Sequence, residues 1–272
     1  MINIGWFASS HGKTSKLLLK AVHKAIDKGD LPAKIAVVFC DRSLGENENS
    51  DQFHAFVRSC GYPLVTLSYR DYRKKHGSPF IANGVGLPDW RTEYDKKVID
   101  LLREYPFDVG IMAGYMLISS ELMCDEYNII NLHPAAPGGP SGSWQDVIWE
   151  LIANGAQESG VMMHLVTPEL DSGPVVTYCK YPIVGKHIDH LWNNIDGRDI
   201  GDIRASEGES NALFSEISRL GVIRELPLLV STIASCANRS IVIDDGTVVD
   251  EDGHLSAGLD LTENIEQLLN DS

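Results

Sequence analysis

Two side chains with clear catalytic potential are Asn131 and His133, in the Asn-Leu-His-Pro segment 131–134. The segment follows apolar residues and is predicted to end a buried strand, because Pro134 cannot continue the backbone ladder. Side chains alternate along a strand, so both residues are expected on one face. An amide donor beside an imidazole can polarise a carbonyl and stabilise an oxyanion. The competing interpretation is a histidine with a structural role at a strand end.

A carboxylate that could serve this pair is Asp171, in the turn 169–174 between two apolar segments. A carboxylate in such a Gly-Pro turn often serves the turn alone. Beside a histidine it would instead favour the imidazolium form, because an opposite charge raises the pKa of the imidazole. His164, in the strand before the turn, is interpreted as a structural partner that helps with positioning.

A third candidate is the turn that carries Gly12, Lys13 and Thr14 after the first apolar segment. A nucleotide-binding P-loop needs four residues between its two glycines, whereas six separate Gly5 from Gly12, so this spacing does not fit. Free backbone N–H groups where a helix begins can still bind a phosphate. The alternative left open is an ordinary helix start with a solvated lysine.

The composition sets limits on class and partners. The chain has 272 residues, 43% hydrophobic and 22% charged, with a formal net charge of -15. These values fit a folded globular protein of one or two domains, and the negative charge argues against nucleic acid as the main partner. No secretory signal or membrane-spanning segment is expected. The five cysteines lack metal-binding or disulfide spacing, so reduced thiols in a cytoplasmic protein are predicted and no metal is expected.

Apolar strand patterns alternate with amphipathic helices along the first 150 residues, which predicts a parallel sheet. Predicted strands are 2–7, 34–40, 63–67, 109–113 and 129–132, followed by an antiparallel pair at 160–165 and 175–183. Predicted helices are 15–28, 51–60, 89–105, 144–154, 211–237 with a break or kink at Pro227, and 262–272. Segments 69–87 and 196–210 are predicted loops, and 241–249 a hairpin. The fold class is therefore α/β: a Rossmann-like, mostly parallel sheet with helices on both faces, plus an antiparallel hairpin extension at the C-terminus.

These motifs, in this order, resemble the folate-dependent formyltransferases, and within them the enzymes that formylate glycinamide ribonucleotide in purine biosynthesis. The matching segments are the turn at Gly12 and residues 90–95, 112–116, 131–134 and 164–174. The resemblance covers residues 1–185. It implies a catalytic domain over 1–185 and a C-terminal extension over 186–272 packed on the same domain.

The resemblance also implies the reaction and its residues. A formyl group would pass from 10-formyltetrahydrofolate to a primary amine, with no metal. The catalytic residues would be Asn131, His133 as an imidazolium, and Asp171. The folate would be bound by Arg91, Met116, Leu117, Ile118, Ser119 and Asn131. The phosphorylated amine would be bound by Gly12, Lys13, Thr14, Ser15, Pro134 and Glu225. Small-molecule partners are expected, with no nucleic acid or membrane, and a homodimer remains an option.

Three departures from the family pattern leave the acceptor open. The loop 135–140 reads Ala-Ala-Pro-Gly-Gly-Pro instead of the family's Ser-Leu-Leu-Pro, Gly12 is not followed by Ser-Asn, and the chain continues with the hairpin at 241–249. The alternatives are a formyltransferase acting on a sugar-nucleotide amine, and a non-catalytic protein of the same fold that binds folate or nucleotide. The loop 137–143 is the alternative binding site for the acceptor.

Overall fold

The computed structural model describes residues 1–76 and 87–271. Its strands, in chain order, are β1 (Ile2–Ala8), β2 (Ala33–Cys40), β3 (Leu64–Thr66), β4 (Val109–Met112), β5 (Ile129–His133), β6 (Glu158–Leu165), β7 (Val175–Pro182), β8 (Ile241–Asp244), β9 (Thr247–Asp250) and β10 (Leu259–Asp260). Its helices are α1 (Thr14–Asp27), α2 (Glu48–Ser59), α3 (Tyr69–Lys75), α4 (Asp89–Leu102), α5 (Glu121–Glu126), α6 (Trp144–Ala153), α7 (Asp189–Ile195), α8 (Ile200–Ser206), α9 (Ala212–Ala237) and α10 (Thr262–Asn270).

The central sheet has eight strands in the order β10-β7-β6-β5-β4-β1-β2-β3. Strands β1 to β5 pair in parallel, whereas β6 pairs antiparallel with both β5 and β7. The hairpin β8-β9 forms a separate antiparallel sheet. This arrangement confirms the predicted mostly parallel α/β fold with a C-terminal hairpin.

Alternate residues of the inner strands bury opposite faces of the sheet, as the strand period requires. Trp6 packs in a core with Leu18 of α1 and Leu229 of α9, whereas Phe7 packs in a core with Tyr94 of α4. Continuous apolar strands can form here because helices cover both faces. Helix α1 and helix α4 therefore lie on opposite sides of the sheet.

Two segments predicted as loops contain helices. Residues 69–75 form α3, whose first turn is capped by the Ser68 hydroxyl accepting from Asp71 N at 3.1 Å. Residues 200–206 form α8, capped by the Asp199 carboxylate. Both helices are short and polar, so they lack the apolar period that identifies a helix, and side-chain caps support their starts. The rest of the predicted loop at 69–87 includes residues 77–86, which lie outside the described residues.

The C-terminal segment contacts the main sheet directly. Helix α9 continues through Pro227, where the sequence predicts a break or kink, and packs on β6 and β7. By length and composition α9 could cross a membrane, but Leu228, Leu229 and Ile233 are buried in the core. Strand β10 then pairs in parallel with β7. The proposed division of the chain at residue 185 stays a prediction.

Candidate active site

The residues singled out from the sequence lie along one edge of the sheet. Strands β5, β4 and β1 are neighbours and parallel, so their carboxyl ends meet at the same edge. His133 ends β5, residues 113–120 follow β4, and residues 9–13 follow β1. Open α/β sheets bind ligands at this edge. The fold thus brings the candidate catalytic, donor and acceptor segments side by side.

Four polar side chains form a cluster at the end of β5. The Asn131 amide nitrogen lies 3.3 Å from His164 Nε2, and His164 Nδ1 donates to the Leu165 carbonyl at 3.0 Å. Because Nδ1 carries the proton donated to Leu165, Nε2 is the ring nitrogen that can accept from Asn131 and so orient the amide. Asp171 Oδ1 lies 3.5 Å from His164 Nε2, and its other oxygen lies 3.6 Å from His133 Nδ1. The predicted trio is therefore brought together, with His164 as the positioning side chain.

The loop after β5 holds both members of the His133–Asp171 pair. His133 Nε2 donates to the Pro140 carbonyl at 2.9 Å, which places a proton on Nε2 and turns Nδ1 toward Asp171. The backbone N–H of Gly142 donates to Asp171 Oδ2 at 3.0 Å. Asp171 itself has a left-handed backbone with φ of 53°. These contacts orient the imidazole and the carboxylate before any substrate binds.

The electrostatics of the pair differ from the sequence expectation. Burial lowers the pKa of His133 below its usual 6.5 and outweighs the opposing effects of the Pro140 carbonyl and the Asp171 charge. Burial opposes ionisation of Asp171 as well, but the interaction with His164 and the hydrogen bond from the Gly142 N–H outweigh it and lower the pKa of this carboxyl. In the protein alone, the pair at neutral pH is thus a neutral imidazole beside a carboxylate. The expected permanent imidazolium is not favoured, because the side chain is only 3% exposed.

Gly142→Ala is expected to lower kcat about tenfold or more. The φ of Gly142 is +108°, a backbone region that strains any residue with a Cβ, and relief of that strain would withdraw its N–H from Asp171. Gly138→Ala is the matched control, because Gly138 is exposed and has φ of +76° in the same loop. Steady-state kinetics and thermal unfolding of both variants provide the measurement. Equal losses of kcat in the two variants would contradict this role of Gly142.

The segment after β4 has an exposed apolar surface on a buried polar support. Met116 is 68% and Ile118 41% exposed, whereas Ser119 is buried and Leu117 half-buried. Arg91 lies beneath them, 3% exposed, and donates to the Ile118 carbonyl at 2.7 Å and to Asp95 at 2.9 Å. The second Asp95 oxygen accepts from the Ser120 N–H at 2.8 Å. The four segment residues and Arg91 are therefore brought together, while contact of Arg91 with folate stays a prediction.

The turn after β1 is joined to the same segment through Ser9. The Ser9 hydroxyl accepts from Met116 N at 2.8 Å and donates to buried Asp41 at 2.7 Å. Burial raises the pKa of Asp41 to about 6 despite the Ser9 hydrogen bond. The turn and the segment after β4 are thus connected directly by a hydrogen bond at their bases.

The predicted acceptor residues are mostly open in this turn. Gly12, Lys13 and Thr14 are exposed, and no side chain caps the start of α1. Ser15 differs, because it is buried. Its hydroxyl packs so closely against Gly114 that a Cβ on that glycine would lie only 2.5 Å from the oxygen. The exposed start of α1 leaves backbone N–H groups for an anion. Phosphate binding there stays a prediction.

Two further residues that are predicted to bind the acceptor lie outside this turn. Pro134 is half-buried directly after His133, at the cluster. Glu225 lies on α9, where burial raises its pKa to about 7. Such a carboxyl group can accept a hydrogen bond from a hydroxyl when it is ionised, and can donate one to it when it is protonated. Its role in acceptor binding stays a prediction.

Sequence analysis gave no individual role to Asp95, Pro140 or Gly142, although they lie in segments that it singled out. Asp95 is four residues after Arg91 on a helix, a spacing that brings opposite charges together and could have been recognised. The contacts of Pro140 and Gly142 depend on the path of a Gly-Pro loop, for which the sequence gives no periodic signal.

Among the described residues, a group that could hold a metal ion is Asp250, Asp252 and His254, in the turn after β9. Asp250 accepts backbone N–H bonds from both of the others, which accounts for their proximity.

Comparison with known proteins gives the family. Residues 8–191 match the family model described as formyl transferase. Phosphoribosylglycinamide formyltransferase of Escherichia coli (strain K12) is 34% identical over 97 residues, which are 35% of this chain and 45% of that protein. The Haemophilus influenzae protein of the same name is 25% identical over 185 residues, covering 67% of this chain and 74% of the relative. The chain spans about half the length of the first curated relatives it matches.

Solved structures show the same fold. Glycinamide ribonucleotide transformylase 1 from Symbiobacterium toebii aligns over 91% of this chain and 93% of its own, with a TM-score of 0.62 and 22% identity. A formyltetrahydrofolate deformylase from Pseudomonas syringae aligns over 92% of this chain and 65% of its own, with a TM-score of 0.59 and 17% identity. At these identities the likeness concerns the fold alone. Since the family model covers most of the chain, including β5 and Asp171, the protein belongs to the formyl transferase family.

Proposed function

We propose that this protein transfers the formyl group of 10-formyltetrahydrofolate to the primary amine of glycinamide ribonucleotide, a step of purine biosynthesis. The observation that carries the proposal is the cluster of Asn131, His133 and Asp171, with the segment after β4 on one side and the turn after β1 beyond it. Family membership and the names of the relatives support the same reaction. The proposal includes a cytoplasmic location for the protein.

The donor would bind at residues 116–119, with its reactive formyl group near Asn131. The exposed apolar side chains Met116 and Ile118 suit a flat aromatic ring, and Arg91 supports the backbone beneath them. The acceptor phosphate would bind at the start of α1, where exposed N–H groups and the positive helix end favour an anion. The folate supplies the one-carbon unit, and the protein supplies the geometry.

The proposed chemistry follows from the resting state of the pair. The amine nitrogen forms a bond to the formyl carbon, and the oxygen of that carbon gains negative charge. The Asn131 amide, oriented by His164, stabilises this oxyanion. Neutral His133 then takes up a proton that originates from the amine, and Asp171 stabilises the imidazolium formed. The bond from carbon to the folate nitrogen breaks as that nitrogen receives the proton.

A turnover assay tests the proposal. We expect formyl transfer from 10-formyltetrahydrofolate to glycinamide ribonucleotide, with a kcat/KM that exceeds the value for amino sugar nucleotides by tenfold or more. Loss of the formyl group without any amine should be slower still. Folate binding without transfer to any amine would contradict the proposal and support the binding-protein alternative. Rapid formyl release to water would instead indicate a hydrolase.

A second candidate acceptor, a sugar-nucleotide amine, is favoured by one observation. The loop after His133 has a sequence different from the family's pattern, and Gly138 and Gly139 in it are exposed beside the cluster. A loop of small residues leaves space for a bulkier acceptor. Preference for an amino sugar nucleotide in the same assay would support this candidate.

A further inference from the structure

Five lysines form a stripe along the outer face of α1. Helix α1 buries Ser15, Leu18, Leu19 and Val22, and at about 100° per residue the opposite face carries the lysines. The stripe consists of Lys16, Lys20 and Lys24 on α1 and of Lys13 and Lys28, which flank its two ends. Lys16 is half-buried and the other four are exposed. The stripe begins at the turn proposed to bind the acceptor phosphate and runs along the whole helix.

The lysines of the stripe have no carboxylate partner within residues 1–76 and 87–271. In those residues, the ion pairs between a basic side chain and a carboxylate are formed by arginines and by Lys180. On α1 itself the first acidic residue is Asp27, at the far end of the helix. Unpaired ammonium groups keep their full field in water, whereas paired ones largely cancel. The outer face of α1 is thus a positively charged surface.

This surface contrasts with the charge of the whole chain. A formal net charge of -15 repels a phosphorylated substrate at long range. A stripe of one sign that ends at a binding site does the opposite locally, because it raises the concentration of counter-ions near that site. Each helical residue rises about 1.5 Å, so Lys20 and Lys24 lie about 9 and 15 Å along the helix from the start of α1. Both distances are shorter than the Debye length at 10 mM ionic strength, about 30 Å, so these charges are not fully screened from the turn.

We propose that the lysine stripe of α1 guides phosphorylated, anionic substrate to the turn at residues 9–15. The inference rests on the proposed function, since it takes the acceptor phosphate to bind at that turn. Lys13 and Lys16 would act at the binding site itself. Lys20 and Lys24 would act through their field alone, without contact with the bound molecule.

The probe for this inference is ribose 5-phosphate, which carries the phosphorylated sugar of the acceptor without its amine. We expect Lys20→Ala combined with Lys24→Ala to raise its Kd about three- to tenfold at 10 mM ionic strength. The difference should vanish at 0.5 M salt, where charges are screened within a few ångström. Lys96→Ala combined with Lys97→Ala is the matched control, because both lysines are exposed on α4, across the sheet from α1. Isothermal titration calorimetry measures binding independently of turnover.

The outcomes separate the stripe from general charge effects and from the proposed function. Unchanged binding in the α1 variant, an equal loss in the α4 control, or no binding to the wild type would each overturn the inference. A loss that persists at 0.5 M salt would show a direct contact rather than guidance and would overturn it too. If the stripe effect is found but glycinamide ribonucleotide is not formylated, the proposed acceptor is wrong while the guidance of phosphates stands.

Discussion

Asp171→Asn is expected to lower kcat about 100- to 1000-fold while the fold remains intact. The substitution keeps the size of the side chain and an oxygen that can accept the Gly142 N–H, but it removes the negative charge beside His133 Nδ1. Without that charge the imidazolium formed during transfer loses its stabilising partner, and general acid–base assistance of this kind typically contributes 100- to 10,000-fold. Single-turnover kinetics with saturating folate would measure the loss.

The control for this variant is Asp125→Asn, because Asp125 is exposed on α5 and carries the same charge. Circular dichroism and the melting temperature of both variants would establish that each is folded. Near wild-type kcat in Asp171→Asn would show that the carboxylate does not take part in the reaction. A large loss in the Asp125 variant would instead point to a dependence on total charge.

The catalytic strand could be predicted because its signals are local. Alternation along β5 places Asn131 and His133 on one face, and the apolar residues before them predict the strand itself. Placing Asp171 beside them required the resemblance to a family, because the turn that carries it follows a strand added antiparallel to β5. A single sequence does not give strand order, so the meeting of these residues could not follow from spacing alone.

The protonation state of His133 could not be predicted from the sequence, for a physical reason. The expectation of an imidazolium at His133 counted the nearby carboxylate but not the burial of the ring, and burial is the larger effect on its pKa. Arg91 shows the same limit. The resemblance implies that Arg91 binds folate, which stays a prediction, but its burial under the segment after β4 depends on where that segment packs. Burial depends on the packing of distant segments, which a local pattern does not reveal.

His133→Ala is expected to lower kcat about 100- to 1000-fold, because it removes the group that takes up the amine proton beside the oxyanion. His190→Ala is the matched control, since His190 is exposed on α7. Both variants are expected to fold, and circular dichroism would verify this. A kcat within about threefold of wild type in His133→Ala would exclude the imidazole from the proton transfer.

The protonation of His133 gives this prediction a direct measurement. Burial lowers the pKa of this imidazole below 6.5, so it should gain its proton only as the pH falls below that value. In Asp171→Asn the pKa should fall further, because the carboxylate that favours the charged ring is gone. NMR titration of the ring nitrogens in both proteins would measure the two values. A wild-type pKa above 6.5 would restore the permanent imidazolium as the resting state, and an equal pKa in both proteins would show that Asp171 does not act on His133.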